Sequence, residues 1–232
     1  MNPACILFLV IPIFCTWFTT NHSPHLFGSK AVKCIETKEK VVALTYDDGP
    51  QPQFTTDILA VLKKHDVRAT FFVKGQNAQK YPDIVRQTYL SGNEIGNHTW
   101  SHPAMLGKTQ NFMKEEIEKT DAIIRDIGYT KEIYFRSPYG VKGIGLQRVL
   151  ANMKRKNILF DVMSWDWNGP GVEKIIDRTL EDVHPGAIIL LHDGCGVREQ
   201  TVEATNVIIQ RLKEQGYRFV TISDLLKLKH ST

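Results

Sequence analysis

The sequence predicts an α/β fold in which strands and helices alternate and the strands run parallel. Three observations predict it. From residue 41 onward, short β-branched apolar runs alternate with stretches whose apolar residues recur at helical spacing. The pair of patterns repeats about seven times in roughly 190 residues. The stretches between successive strand runs are long enough for helical crossovers, which parallel strands require and antiparallel hairpins do not. Such an alternation builds either an open doubly wound sheet or a (β/α) barrel lacking one unit, and periodicity alone does not choose between them.

The elements follow in order. Val41 to Thr45 reads as a strand, and Gln53 to Asp66 as a helix with Phe54, Ile58, Leu59 and Leu62 on one face. Ala69 to Val73 is the second strand, and Pro82 to Leu90 a helix with proline at a favourable first-turn position. Glu94 to Asn97 precedes a long charged helix near Asn111 to Ile127, which Gly128 stops. Ile133 to Phe135 then pairs with a helix around Leu146 to Lys156, and Ile158 to Met163 with Val172 to Asp182. Ala187 to Leu191 leads to Gln200 to Gln215, and Tyr217 to Ile222 to a terminal helix from Asp224. This folded part spans residues 40–228, with a short tail at 229–232 and a polar, weakly patterned linker at 21–39.

Composition sets outer bounds. A chain of 232 residues with 42% hydrophobic and 23% charged residues can bury a full core, which excludes a disordered chain, a collagenous repeat and a bundle of membrane spans. Its 29 basic residues face 25 acidic ones, too slight an excess for a nucleic-acid partner. Residues 1–20 contain no Lys, Arg, Asp or Glu, and 4–18 are almost continuously apolar, interrupted by Pro12. That run is short for a bilayer span and suits a secretory signal, or an uncleaved anchor, since no basic residue precedes it and no clear cleavage site follows. The expected location is therefore secreted or envelope-associated. Of four cysteines two lie in this leader, leaving Cys34 and Cys195 either as a disulfide or as two thiols. No clustered Cys/His pattern marks a structural zinc site.

The chemically capable residues fall just after the strands, where α/β folds build their sites. They are Asp47-Asp48-Gly49-Pro50, His98-Thr99-Trp100-Ser101-His102, Arg136-Ser137-Pro138-Tyr139-Gly140, Trp165-Asp166-Trp167 and His192-Asp193. Singly each has an ordinary reading: a turn, a chance H-x-x-x-H, a surface arginine, a structural histidine. A single helical turn would aim His98 and His102 at one point. Together, one carboxylate and two imidazoles make a three-ligand site with an open fourth position, with a carboxylate, a histidine and an arginine left over for acid–base work. Such a set suits hydrolysis at a carbonyl by metal-activated water.

Thr45-Tyr46-Asp47-Asp48-Gly49-Pro50, His98-Thr99-Trp100-Ser101-His102, Arg136-Ser137-Pro138-Tyr139-Gly140, Asp166-Trp167 and Leu191-His192-Asp193 resemble, in order, the five motifs of the NodB-homology polysaccharide deacetylases, carbohydrate esterase family four. Ala69 to Val73 and Gly216 to Val220 match in the flanks, and Tyr46 stands where the family more often has Phe. The resemblance implies a distorted (β/α) barrel of about seven units and a hydrolase that removes N-acetyl groups from N-acetylglucosamine units of peptidoglycan or chitin-like oligomers. It implies that Asp48, His98 and His102 bind a divalent metal, usually zinc, and that Asp47 is the base for metal-bound water. His192 is the implied acid for the leaving amine and Tyr139 N–H the oxyanion donor. Arg136 would hold Asp47, Asp166 would orient His192, and Trp167 and Leu191 would wall the acetyl pocket. Trp100 and Tyr139 are candidate stacking surfaces for sugar rings. The expected partner is a polysaccharide met by a monomer, and residues 4–18 would supply any membrane anchoring. Acetyl-ester (xylan) deacetylation, glycosidic cleavage by paired carboxylates, and a non-catalytic glycan-binding role are the alternatives; the second leaves His98 and His102 without a task.

Overall fold

The computed structural model of the protein describes residues 31–228; the expected leader and tail lie outside them. The first strand, β1 (Val41–Asp47), is buried along its whole length, because alternate residues face two different apolar layers. Val42, Leu44 and Tyr46 pack with Ile58, Leu62 and Ile208 under the surrounding helices. Val41 and Ala43 pack with Phe72, Ile188 and Ile222 on the opposite, inner face.

Around β1 stand β2 (Thr70–Val73), β3 (Glu94–Asn97), β4 (Val162–Met163), β5 (Ala187–His192) and β6 (Arg218–Phe219). The order is β3-β2-β1-β5-β4, and every ladder is parallel. β5 runs along one edge of β1 from Val42 to Asp47. On the other edge β6 takes Val41 and Val42 while β2 takes Thr45 to Asp47, so β6 is wedged in at the start of the strand. The expected strand at Ile133 to Phe135 is reduced to a single residue. Phe135 bridges Asn97 on one side and Asn157 on the other, spanning the gap between β3 and the segment that leads to β4. Six strands and this bridge thus stand where seven strands were expected, and the α/β class and its parallel direction hold.

The helices are α1 (Phe54–Lys64), α2 (Gly75–Lys80), α3 (Pro82–Leu90), α4 (Gln110–Asp126), α5 (Ile144–Asn152), α6 (Val172–Asp182), α7 (Glu199–Glu214) and α8 (Ile222–Leu228). Among the described residues no helix is long and apolar enough to cross a membrane. Thr109 caps α4 by accepting a hydrogen bond from the Phe112 N–H.

One expectation is corrected at the start of the strands, and one open alternative is closed. Residues 31–39 were expected as linker, yet Val32 bridges Ile158, and the Ile35 N–H donates to the Gly186 carbonyl at 3.0 Å. Ile35 is buried with Ile188, Ile222 and Leu225, so this segment closes the lower end of the inner core. Cys34 bridges Ala187 at the start of β5, whereas Cys195 lies past its end. Opposite ends of a six-residue strand are ~17 Å apart, far beyond disulfide reach, which disposes of the Cys34–Cys195 bond.

Candidate active site

All five motif loops meet at the C-terminal end of the sheet. Arg136 is at the centre, wholly buried. Its Nε donates to the Ile158 carbonyl at 2.9 Å and Nη2 to the Leu159 carbonyl at 3.1 Å, while Nη1 reaches Thr45 Oγ1 and Asp47 Oδ1, each at 2.8 Å. Its guanidinium lies 4.1 Å from the centroid of the Phe72 ring. Burial pulls the guanidinium below its ordinary pKa, and the Asp47 carboxylate opposes that pull. An arginine so fully engaged can only hold Asp47 in one orientation.

Beyond Asp47 lies the histidine pair. His98 Nε2 is 3.6 Å from both Asp47 Oδ2 and Asp48 Oδ1, and His102 Nε2 is 3.2 Å from Asp48 Oδ1. His98 Nδ1 is 2.9 Å from the Arg136 carbonyl oxygen, which can only accept, so Nδ1 carries the proton and Nε2 presents a lone pair. Burial drives the His98 pKa down to about 3, with the Asp48 charge working the other way, so the ring is neutral. Asp48 Oδ1 is buried and makes no hydrogen bond. A buried carboxylate oxygen without a hydrogen bond is costly, and a cation between it and the two imidazoles would relieve that cost. The three ligand atoms lie within 4.8 Å of one another. Asp48, His98 and His102 therefore form a constellation of one carboxylate and two imidazoles that can hold a metal ion.

The 98–102 segment is not the helical turn expected from its spacing. Thr99 and His102 both have positive φ, at 66° and 62°. The bend is held by Asn97 Oδ1 accepting from the Thr99 N–H at 2.8 Å, and by Thr99 Oγ1 accepting from the His102 N–H at 3.1 Å. From α4, Glu116 accepts from the Ser101 N–H and hydroxyl, both at 2.8 Å. On the other side of the cation constellation, a Cβ on Gly49 would come within 2.0 Å of the Asp193 carboxylate, and one on Gly194 within 2.4 Å of the Asp48 carbonyl. Asp193 accepts from the Gly49 N–H and from Thr55 Oγ1, at 3.1 and 2.7 Å. Burial, reinforced by the Asp48 and Asp47 charges, pushes its pKa up to about 7.

The acid–imidazole pair faces Asp47 across one strand boundary, because Asp47 and His192 are partners in the β1–β5 register. His192 Nδ1 donates to Asp166 Oδ1 at 2.8 Å, leaving Nε2 toward the site. Asp166 Oδ2 accepts from the His192 N–H at 2.9 Å and from Thr201 Oγ1 at 2.8 Å, and Oδ1 also receives Ser164 Oγ at 3.1 Å. Burial alone would raise the Asp166 pKa, but the His192 and Thr201 hydrogen bonds and the His192 charge hold it below the ordinary value. Burial likewise works against a charged His192, and Asp166, with the more distant Asp47 and Asp48, reverses this and raises its pKa.

The remaining residues flank these groups. Trp167 stands edge-on to His192, with ring centroids 5.3 Å apart, and the 72% exposed Tyr139 ring is 4.8 Å from His102. Leu191 does not reach the site. In β5 it alternates with His192, so its side chain points out into the core containing Ile189 and Tyr46. Leu190, two residues from His192, shares no core cluster with Leu191 and is the leucine on the His192 face. Trp100 is also not a free platform: Lys119 Nζ covers it at 3.8 Å from the ring centroid, and Gly75 abuts its edge. Residues to which the sequence assigned no role are Thr45, Ser164, Thr201, Glu116 and Asp193, polar groups whose part is visible only as hydrogen bonds across elements.

Polar groups of this kind, gathered on the strand ends of an α/β sheet beside a group that can hold a cation, suit a hydrolase. The chain belongs to the polysaccharide deacetylase family, which matches it over residues 35–158. It is 36% identical, over 84% of its length and 92% of the relative's, to a peptidoglycan-N-acetylglucosamine deacetylase of Bacillus cereus. It is 32% identical to a chitooligosaccharide deacetylase of Azorhizobium caulinodans, covering 79% of this chain and 93% of that one. A solved peptidoglycan N-acetylglucosamine deacetylase, in complex with a naphthyl-N-oxidanyl-benzamide, superposes with a TM-score of 0.81 at 34% identity, over 84% of this chain and 92% of that one.

Proposed function

We propose that the protein removes N-acetyl groups from N-acetylglucosamine units of a polysaccharide, peptidoglycan or chitin-like oligomers, and releases acetate. The observation that carries this reading is the placement of Asp47 and the His192–Asp166 pair on register partners of adjacent strands, beside a buried carboxylate oxygen that makes no hydrogen bond and that a cation would satisfy. The names of the relatives support the substrate class.

Asp48, His98 and His102 would hold a divalent cation, zinc for preference given two imidazoles and one carboxylate, and when bound it supplies Lewis-acid polarisation of the amide carbonyl and a lowered pKa for water. Asp47, pinned by Arg136, accepts a proton from the attacking water. The water oxygen bonds to the acetyl carbon, and the Tyr139 backbone N–H donates to the oxygen that gains charge. His192, charged with the help of Asp166, gives its Nε2 proton to the nitrogen as the C–N bond breaks. Acetate and a free amine on the sugar result. Trp167 and Leu190 line the side of the site where the acetyl methyl rests. The uncharged residues 1–20 support export, with residues 4–18 serving as a cleaved signal or an anchor.

The test is acetate release from a panel of N-acetyl-chitooligosaccharides, peptidoglycan and acetylated xylan, with and without chelator. Release from the first two that chelator abolishes and zinc restores is the expected result. No release from any member, or release only from xylan, overturns the reading.

A further inference from the structure

The loop after β4 carries a residue to which the reaction above assigns nothing. Trp165 has φ 59° and ψ 26°, the left-handed region that bulky L residues avoid. The same loop places glycine at two other positive-φ positions, Gly169 and Gly171, although an added Cβ there would meet nothing within 4 Å. Where glycine would be at ease, position 165 instead carries an indole.

Four other non-glycine residues with positive φ on this rim, Asp48, Thr99, His102 and Tyr139, are already tied to the site, while Gln53 and Cys195 in the loops after β1 and β5 are not. Backbone strain gathers where surrounding structure aims a side chain or amide at a ligand. Trp165 fits that pattern by position as well. Its ring lies 5.0 Å from that of Trp167, tilted by 37°, and Trp167 in turn stands against His192. Both indoles are partly exposed. The rings of His192, Trp167 and Trp165 follow one another away from the proton donor, and Tyr139 stands against His102.

We propose that Trp165 is a specificity-determining residue, whose indole stacks on the pyranose ring next to the one being deacetylated, so that the enzyme favours oligomers over short fragments. A pyranose ring presents a face of C–H groups rimmed by hydroxyls, and a broad rigid indole buries such a face at small cost in conformational entropy. This rests on the glycan substrate of the functional reading.

The experiment compares the full chain with Trp165→Ala, Trp165→Gly and Trp165→Phe. Acetate release is measured on the N-acetylglucosamine monosaccharide and N-acetyl-chitopentaose, pentamer affinity by calorimetry, and thermal melting in parallel. In the Ala and Gly variants the pentamer-to-monosaccharide ratio of kcat/KM is expected to fall about tenfold, carried by KM, with a similar fall in pentamer affinity. Phe recovers most of the loss, and the Gly variant melts no lower than the natural chain because glycine relieves the left-handed backbone. Equal losses on both lengths together with lower melting would make Trp165 a structural prop and overturn the proposal, as would no change in the ratio. Should the natural chain release no acetate, the functional reading falls, and calorimetry still decides: pentamer binding lost on Trp165→Ala supports the stacking role, and unchanged or absent binding overturns it.

Discussion

Asp166 and His192 illustrate how two groups shifted in opposite directions serve one proton transfer. Asp166 is held below and His192 above its ordinary pKa by the bond they share, each against the pull of burial. A proton donor works while protonated, so the raised value extends activity toward alkaline pH. Asp166→Asn is expected to move the alkaline limb of the kcat/KM profile to lower pH and to reduce kcat by ~10²–10⁴. A pH–rate series on both proteins checks this; an unmoved limb would remove His192 as the acid. The linkage carries the same sign for folding. His192's folded pKa lies above its unfolded value, so its contribution to stability is full below about pH 6.5 and is lost as pH rises through the folded value. At this scale much was legible in the sequence. Asp47, Asp48, His98, His102, Arg136, Asp166 and His192 stand out only in combination after the strands and through the motif resemblance. Leu190 and Leu191 do not, since two adjacent leucines look alike until the inward residue of the strand is known. The roles of Thr45 and Thr201 were not legible, because each one's partner belongs to another element far along the chain.

At the scale of elements, α4 is more than a cover for the sheet. Its Glu116 reaches out of the helix and holds Ser101 by two hydrogen bonds, which fixes the bend that delivers His102. Glu116→Ala should therefore weaken zinc binding about 10–100-fold, the usual cost of losing support behind a ligand. The helix itself should persist, since its Thr109 cap and its buried Met113, Ile117 and Thr120 are untouched. A calorimetric zinc titration beside a circular dichroism spectrum separates the two, and unchanged zinc affinity would make Glu116 a bystander. Long periodic elements were legible: α3 and α6 fall where spacing puts them, and β3 does too. The short α2 escaped because Gly75-Gln-Asn-Ala-Gln-Lys80 has a single apolar side chain and no stripe to read. Ile133 to Phe135 looked like a strand from its apolar character. Its neighbours instead turn at once into the Arg136 loop, and only Phe135 is left to pair.

The whole molecule divides its labour between the two ends of β1. The upper end carries the chemistry, while the lower end is closed by α8 and by residues 31–39. That segment read as linker because it is polar and its few apolar residues follow no period. Burial in this case comes from a tertiary groove that no local pattern encodes. Ile35, 3% exposed among Ile188, Ile222 and Leu225, is the side chain that anchors it. Removing three methyl or methylene carbons from such a site costs about 2–5 kcal/mol, depending on how far the cavity collapses. Ile35→Ala should accordingly lower the melting temperature by several degrees. Val41 and Asp47 bound the seven residues of β1, so the anchor is ~20 Å from the reacting groups. Acetate release measured well below the melting transition should then stay within about twofold of the natural chain, as expected for distant, uncoupled sites. Stability and catalysis would thereby separate along the strand axis. A variant that kept its melting temperature but lost activity would show the opposite, that the lower closure shapes the site through the inner core.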